Sequence, residues 1–209
     1  MAYVLGFFFA DGSYDVNPRG SEYFSFQITD KKLLHDIRDA LGSDHKISVR
    51  PPRNPNDSIQ YRLQIGSKEM CADLQKLGVS KNKSHTATFP KVPKKYVGAF
   101  IHGYFDGDGN VWSGVTHKQR KVQGMTLLTG FTSCSEKFLV GLQSQNQKHG
   151  LGKGSLFKLK NNNAFRLQYS AKDSIILFNL MYDSLSCNRL SLQRKKKVFE
   201  RFIEKTAAL

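Results

Sequence analysis

Two hydrophobic rhythms alternate along the chain. Residues 3 to 11, "YVLGFFFAD", are apolar on nearly every side, which predicts a buried helix. The segment "EYFSFQIT" then alternates Phe24, Phe26 and Ile28 with Tyr23, Ser25 and Gln27, the period of a half-buried strand. In "DKKLLHDIRDALG" the residues Leu33, Leu34, Ile37 and Leu41 share one helical face, and Gly42 stops the helix. A second hairpin follows in "KISVR" and "SIQYRLQIG", separated by the turn-like "PPRNPND", and "SKEMCADLQKLG" predicts a third helix. In that hairpin Ile59, Tyr61, Leu63 and Ile65 are expected to face the helices.

The second half repeats the order. "SEKFLVGLQSQNQKHG" reads as a helix, "GSLFKLK" and "AFRLQYS" as a hairpin across an "NNN" turn, and "KDSIILFNLMYDSL" as another helix. A last amphipathic helix, "LSLQRKKKVFERFIEK", gathers Val198, Phe199, Phe202 and Ile203 on one side. Local echoes support a duplication. Asp11 and Asp108 lie 97 positions apart, "TDKKLL" from Thr29 is echoed by "CSEKFL" from Cys134, and "YRLQIG" from Tyr61 by "FRLQYS" from Phe165. Offsets drifting from 97 to 105 and 104 fit a doubled unit whose loops changed length. The expectation is an α+β chain of two units, residues 1–88 and 96–209, joined by a linker at 89–95, "FPKVPKK".

Charge turns this outline toward nucleic acid. Lys and Arg number 32 against 17 acids, a net charge of +15, and they recur through both halves instead of forming one tail. The three cysteines, Cys71, Cys134 and Cys187, have no paired spacing, so neither a zinc knuckle nor a disulfide framework is suggested. The opening apolar run lacks a basic start and leads straight into a "DG" turn and alternating strand-like sequence, and no segment approaches the ~18 uninterrupted apolar residues of a membrane span. The expectation is a soluble protein of a reducing interior, bacterial cytoplasm or organelle matrix.

Residues four apart share a helical face, so Gly6 and Ala10 line one side of the first helix and Gly103 and Gly107 the matching side of its repeat. Small side chains at that spacing let two backbones approach closely. If the helices pair there, their C-terminal ends bring Asp11 and Asp108 side by side. Like charges held close raise one another's pKa, and a cation relieves the conflict. Carboxylates, backbone carbonyls and water are the ligands of magnesium, and a basic protein that brings magnesium to phosphate is equipped for phosphodiester hydrolysis. "DGDGNV" is not a calcium loop of the EF-hand type, because Val111 stands at the required glycine and His117 at the closing glutamate.

"VLGFFFADG" (Val4 to Gly12) and "IHGYFDGDG" (Ile101 to Gly109) resemble the nine-residue signature of the LAGLIDADG homing endonucleases, in their monomeric two-motif form. The resemblance covers essentially the whole chain. It implies pseudo-twofold αββαββα units, two antiparallel β-sheets forming a DNA-binding saddle, and a central helix pair at the interface. It further implies that Asp11 and Asp108 bind catalytic divalent ions, Mg2+ or Mn2+, with Ca2+ binding without supporting cleavage. The carbonyls of Ala10 and Gly107 become additional ligands, and Lys83 and Lys195 the basic residues near each reaction centre. Both strands of a duplex would be cut across the minor groove, leaving short 3′ overhangs. Phe9 departs from the signature where the second copy keeps Asp106.

Strand alternation leaves a polar face for DNA. In the first unit that face carries Tyr23, Ser25, Gln27, Lys46, Ser48, Arg50, Gln60, Arg62 and Gln64, with Arg19 in a loop. In the second it carries Trp112, Lys118, Arg120, Gln123, Lys158, Lys160, Arg166 and Gln168. Arg pairs with guanine and Gln with adenine in the major groove, and Lys holds phosphates. A strand of about nine residues spans ~30 Å, so two halves suggest roughly 20 base pairs, and their differing exposed residues an asymmetric target. Two other roles compete: an intron RNA maturase, and a noncatalytic DNA-binding regulator.

Overall fold

The structure, a computed structural model, describes all residues except 53, 82, 117–123, 161–162, 184–189 and 208–209. The doubling expected from the sequence is visible in the element order. Helix α1 (Ala2–Asp11) leads into β1 (Gly12–Val16) and β2 (Glu22–Ile28), then α2 (Lys31–Ala40), β3 (Ile47–Arg50), β4 (Gln60–Ile65) and α3 (Lys68–Lys76). A single-turn helix α4 (Lys83–Thr86) precedes the repeat. That repeat runs α5 (Val97–Asp108), β5 (Gly109–Thr116), β6 (Gly124–Ser133), α6 (Glu136–Lys148), β7 (Ser155–Lys158), β8 (Phe165–Tyr169) and α7 (Ala171–Tyr182), and closes on α8 (Gln193–Ala207).

Each unit holds a four-stranded antiparallel sheet, ordered β1-β2-β4-β3 in the first and β5-β6-β8-β7 in the second. The architecture is therefore α+β, as expected. Matching caps start the helices that leave β2 and β6: Asp30 accepts from Leu33 N at 2.9 Å, and Ser135 from Phe138 N at 3.3 Å. These caps are the "TD" and "CS" of the sequence echo. Gly42, at φ 62°, ends α2.

Alternation sends Phe24, Phe26, Leu63 and Ile65 of one sheet, and Leu127, Phe131, Leu167 and Tyr169 of the other, into a continuous core with α1 and α5. Two expectations fail in detail. Ile59 is 49% exposed, because β4 begins only at Gln60 and leaves it beyond the covered part of the sheet. The aspartate–glycine pair does not turn: Gly12 (ψ 152°) and Gly109 (ψ 157°) are extended, so each buried helix runs directly into a strand. Among the described residues, no helix is long and apolar enough to cross a membrane.

Candidate active site at the helix junction

Glycine sets the distance between α1 and α5. A β-carbon on Gly6 would come within 1.9 Å of the Phe100 carbonyl oxygen, and one on Gly103 within 1.9 Å of the Tyr3 carbonyl oxygen. Both contacts are backbone on backbone, which only residues without side chains allow. At the C-terminal ends, a β-carbon on Gly107 would meet Ala10 Cβ at 2.4 Å and Asp11 Oδ2 at 3.0 Å. The four small residues singled out in the sequence thus form the contact between the helices, and Asp11 and Asp108 emerge beside one another where it ends.

Asp11 and Asp108 are both exposed, although protein close by partly desolvates their carboxylates. Desolvation raises the Asp11 pKa, and Lys195 and Lys83 pull it partly back. For Asp108, desolvation and then the charge of Asp11 push the pKa up to about 6, against the opposing pull of Lys83 and Lys195. Each acid also borders a cavity that includes residues of the other unit. One, of about 250 Å³, is lined by Asp108 together with Ala10, Lys83, Thr132 and Ser133. The other, of about 210 Å³, is lined by Asp11 together with Gly107, Gln27, Gln60 and Arg194. Corresponding strand ends, β2 and β6, close the two cavities.

Lys83 and Lys195 occupy matching places. Lys83 is buried, and its Nζ donates to the carbonyls of Phe9 (3.1 Å) and Ala10 (3.4 Å). Lys195, equally buried, donates to Phe105 (2.6 Å), Asp106 (2.8 Å), Gly107 (3.5 Å) and Gly109 (2.6 Å). Each ammonium sits at the negative pole of its unit's buried helix and satisfies carbonyls that the ending helix leaves open. Desolvation lowers both pKa values, to about 8 for Lys195.

The departure at Phe9 has a structural account. Its counterpart Asp106 is buried and accepts from Tyr3 Oη (2.7 Å) and Leu192 N (2.8 Å), with His102 Nε2 3.3 Å away. That carboxylate ties α5 to α1 and to the start of α8, and Asp106 also lines the cavity beside Asp11. Phe9 instead packs against Phe100 and Phe138, with ring centroids at 5.6 and 5.9 Å. The pattern of donors around Asp106 and the place of Tyr104, whose Oη donates to the Thr132 carbonyl beside Asp108, escaped sequence reading. Thr132 could have been found as the β6 counterpart of Gln27, three residues before its helix cap.

On the strand faces turned from the helices, register places Tyr23, Ser25 and Gln27 of β2 beside Gln60, Arg62 and Gln64 of β4, with Ser48 and Arg50 beyond. Lys46 and Arg19 are exposed in the adjoining loops. Ser25 departs from its expected exposure: it is buried between Ser13 Oγ (2.8 Å) and the Arg62 guanidinium (3.3 Å). Gln27 and Gln60 hydrogen-bond to one another. In the second sheet Trp112, Arg166 and Gln168 lie on this face, and Arg166 Nη2 donates to Asn110 Oδ1 at 2.8 Å. Lys158 does not join them. It pairs with Phe165, which puts it on the helix side at the sheet's tip, while Phe157 pairs with Arg166 on the open face. Lys160 lies past the end of β7, exposed in the turn. Lys118, Arg120 and Gln123 fall outside the described residues.

These features define a duplicated α+β protein with an oxygen-lined junction, two acids and helix-end carbonyls, held between two antiparallel sheets. Residues 1–78 match the family described as LAGLIDADG-like domain. The chain as a whole shares the fold of single-chain LAGLIDADG homing endonucleases. Among solved structures it is similar to the I-LtrWI LAGLIDADG homing endonuclease bound to target DNA, at 15% identity and TM-score 0.61, over 99% of this chain and 90% of that one. It is also similar to the homing endonuclease I-WcaI bound to its DNA recognition sequence, at 16% identity and TM-score 0.63, over 95% and 84%. I-DmoI in complex with DNA and Mn aligns at 14% identity and TM-score 0.59, over 86% and 94%. At these identities the likeness establishes fold.

Two curated relatives from Methanocaldococcus jannaschii align with about half of the chain. An uncharacterized protein of that organism is 28% identical over 118 residues, 54% of this chain and 40% of its own length. A DNA-directed RNA polymerase component, Rpo1C, is 32% identical over 114 residues, 52% of this chain and 12% of its own length. The chain thus spans less than half the length of either.

Proposed function

We propose that this protein is a site-specific DNA endonuclease of the homing type, cutting both strands of a duplex with divalent-ion assistance. The observation that carries the proposal is the junction of Asp11 and Asp108, two acids raised in pKa beside carbonyls of opposite units. Its donors are all oxygen, and its local charge conflict is one that a hard cation relieves. Asp11 with the Gly107 carbonyl, and Asp108 with the Ala10 carbonyl, would hold such ions. Mg2+ is the expected species, Mn2+ its substitute, and Ca2+ an ion that binds without supporting cleavage. Bound there, the ions supply Lewis-acid polarisation of a scissile phosphate and a water of lowered pKa for in-line attack.

The chain's own residues do the rest. Lys83 and Lys195 hold the helix-end carbonyls and add positive charge beneath the junction, so their part is positioning and field more than proton transfer. Arg62, Arg166 and the glutamines present hydrogen-bonding groups to base edges, and the remaining cations meet phosphates. The target is an asymmetric duplex of roughly 20 base pairs, bound by a monomer whose units 1–88 and 96–209 each take one half, and left with short 3′ overhangs. The intact pair of acids favours cleavage over the alternatives, an intron RNA maturase and a noncatalytic regulator.

The test is selection of cleaved products from a randomised duplex library with Mg2+, followed by the same assay on Asp11→Asn and Asp108→Asn. Each variant is expected to lose double-strand cutting while binding the selected duplex within about tenfold of wild type. Wild-type protein that binds duplex but never cuts it with Mg2+ or Mn2+ overturns the enzyme reading in favour of the regulator.

A further inference from the structure

The two open sheet faces occupy equivalent registers but differ in chemistry. In the first sheet Asp15 pairs with Tyr23 at the β1–β2 edge, and Ser48 pairs with Arg62 on the far side. At the corresponding places of the second sheet Trp112 pairs with Leu128, and Phe157 pairs with Arg166. Trp112 is 47% and Phe157 42% exposed, the larger apolar side chains being thus on the outside of a sheet whose inner face is already packed. The indole has a built seat: a β-carbon on Gly114, two residues along the same face, would lie 2.6 Å from its Cζ2. Gly130 likewise leaves the space in which Arg166 reaches Asn110, so this guanidinium is engaged on the sheet between the two apolar spots.

We infer that the second unit, beside its Arg166 and Gln168 contacts, reads thymine through its 5-methyl group, by apolar contact with Trp112, Leu128 and Phe157, a reading that the first unit's open face does not share. The inference rests on the proposed duplex-binding role and adds the chemistry of one half-site. In the major groove the thymine methyl is the apolar feature, and apolar side chains discriminate it from cytosine. The first sheet, with Gln27, Gln60, Arg62 and Arg50 at its open face, has the donors and acceptors suited to purines. A target asymmetric in base composition follows, with thymines concentrated in the half bound by the second unit.

The probe is the selected duplex, rebuilt with deoxyuridine for thymidine in one half at a time, which deletes the methyl and keeps every hydrogen-bonding group. Binding is measured by fluorescence anisotropy with Ca2+. The half assigned to the second unit is the one whose base preference changes when Trp112→Ser or Phe157→Ser is carried through the same selection. Both variants are checked for an unchanged melting curve. Deoxyuridine in that half is expected to weaken binding about fourfold for each contacted methyl, and to be neutral for Trp112→Ser at the position Trp112 contacts. Equal, negligible effects in both halves overturn the inference while leaving duplex binding intact. Failure to select any duplex sinks the functional proposal itself. Tighter binding to single-stranded RNA, lost in Trp112→Ser, would overturn the inference by making the aromatics a base-stacking surface. A concentration-dependent dimer abolished by the same variant would overturn it by making this face a self-association surface.

Discussion

Asp108 shows how a single residue can be set against its own fold. Its pKa is raised to about 6 from an ordinary 3.8, by desolvation first and Asp11 second. Between those values the folded protein holds a proton that the unfolded chain has released, so this group's stabilising contribution is present below about pH 4 and lost as pH rises through about 6. Lys195 adds a parallel cost. Its folded pKa of about 8 lies below the usual 10.5, so stability linked to it is recovered only as pH climbs through that window. The ion-free protein at neutral pH is therefore held back by its own site. Because Asp108 is exposed and solvent screens its charge, Asp108→Asn is expected to melt at most about a few degrees higher than wild type at pH 7.5 without divalent ions, and the gap should close on acidification to pH 4. Adding Mg2+ should raise the wild-type melting temperature more than the variant's, which keeps only the site at Asp11. A variant less stable than wild type throughout would show that the acid is already compensated by its lysines.

At the scale of elements, the decisive contact is α1 against α5. The glycines at 6 and 103 have opposing backbone within 1.9 Å of where a β-carbon would stand. Neither neighbour is a flexible side-chain tip, so the helices themselves must separate. Gly103→Ala is expected to cost about 3 kcal/mol or more, the upper end of overpacking penalties, while Gly66→Ala, with its nearest neighbour at 3.9 Å, should be nearly neutral. Urea denaturation of the two variants measures this directly. Should Gly103→Ala fold with wild-type stability, the close crossing would be wrong and the acids would not share a junction. The small-residue spacing was legible in the sequence because Gly6 and Ala10, like Gly103 and Gly107, lie about one helical turn apart. The two lysines came from the resemblance and not from any local period: Lys195, unlike Arg194 and Lys196, shares the buried face of α8 with Phe199 and Phe202.

For the whole molecule, the net charge of +15 acts at long range, before any base is read. Binding to duplex of arbitrary sequence should weaken by about a thousandfold or more between 50 and 200 mM salt if six or more phosphates are neutralised, with log affinity linear in log salt. Anisotropy titrations across that range check it; a flat response would leave the basic surface without a polyanion to meet. The assignment of that charge to the reading faces was less successful from sequence. Lys158 was expected there from a one-residue error in parity, since a strand's faces exchange with every step. Phe157 took its place, and with it the second sheet became a more apolar surface than the pattern of basic residues suggested.

By itself the sequence determined the elements, their repetition, the two small-residue faces and the acids that end them, because helix and strand periods, capping residues and turn formers act over a few positions. Only the tertiary structure decided which residues those faces meet, that Asp106 is a buried tie and Lys83 and Lys195 are helix-end clamps, and which side of each sheet a side chain occupies. Those outcomes depend on strand register and on contacts between residues as much as 103 positions apart, which no local period encodes.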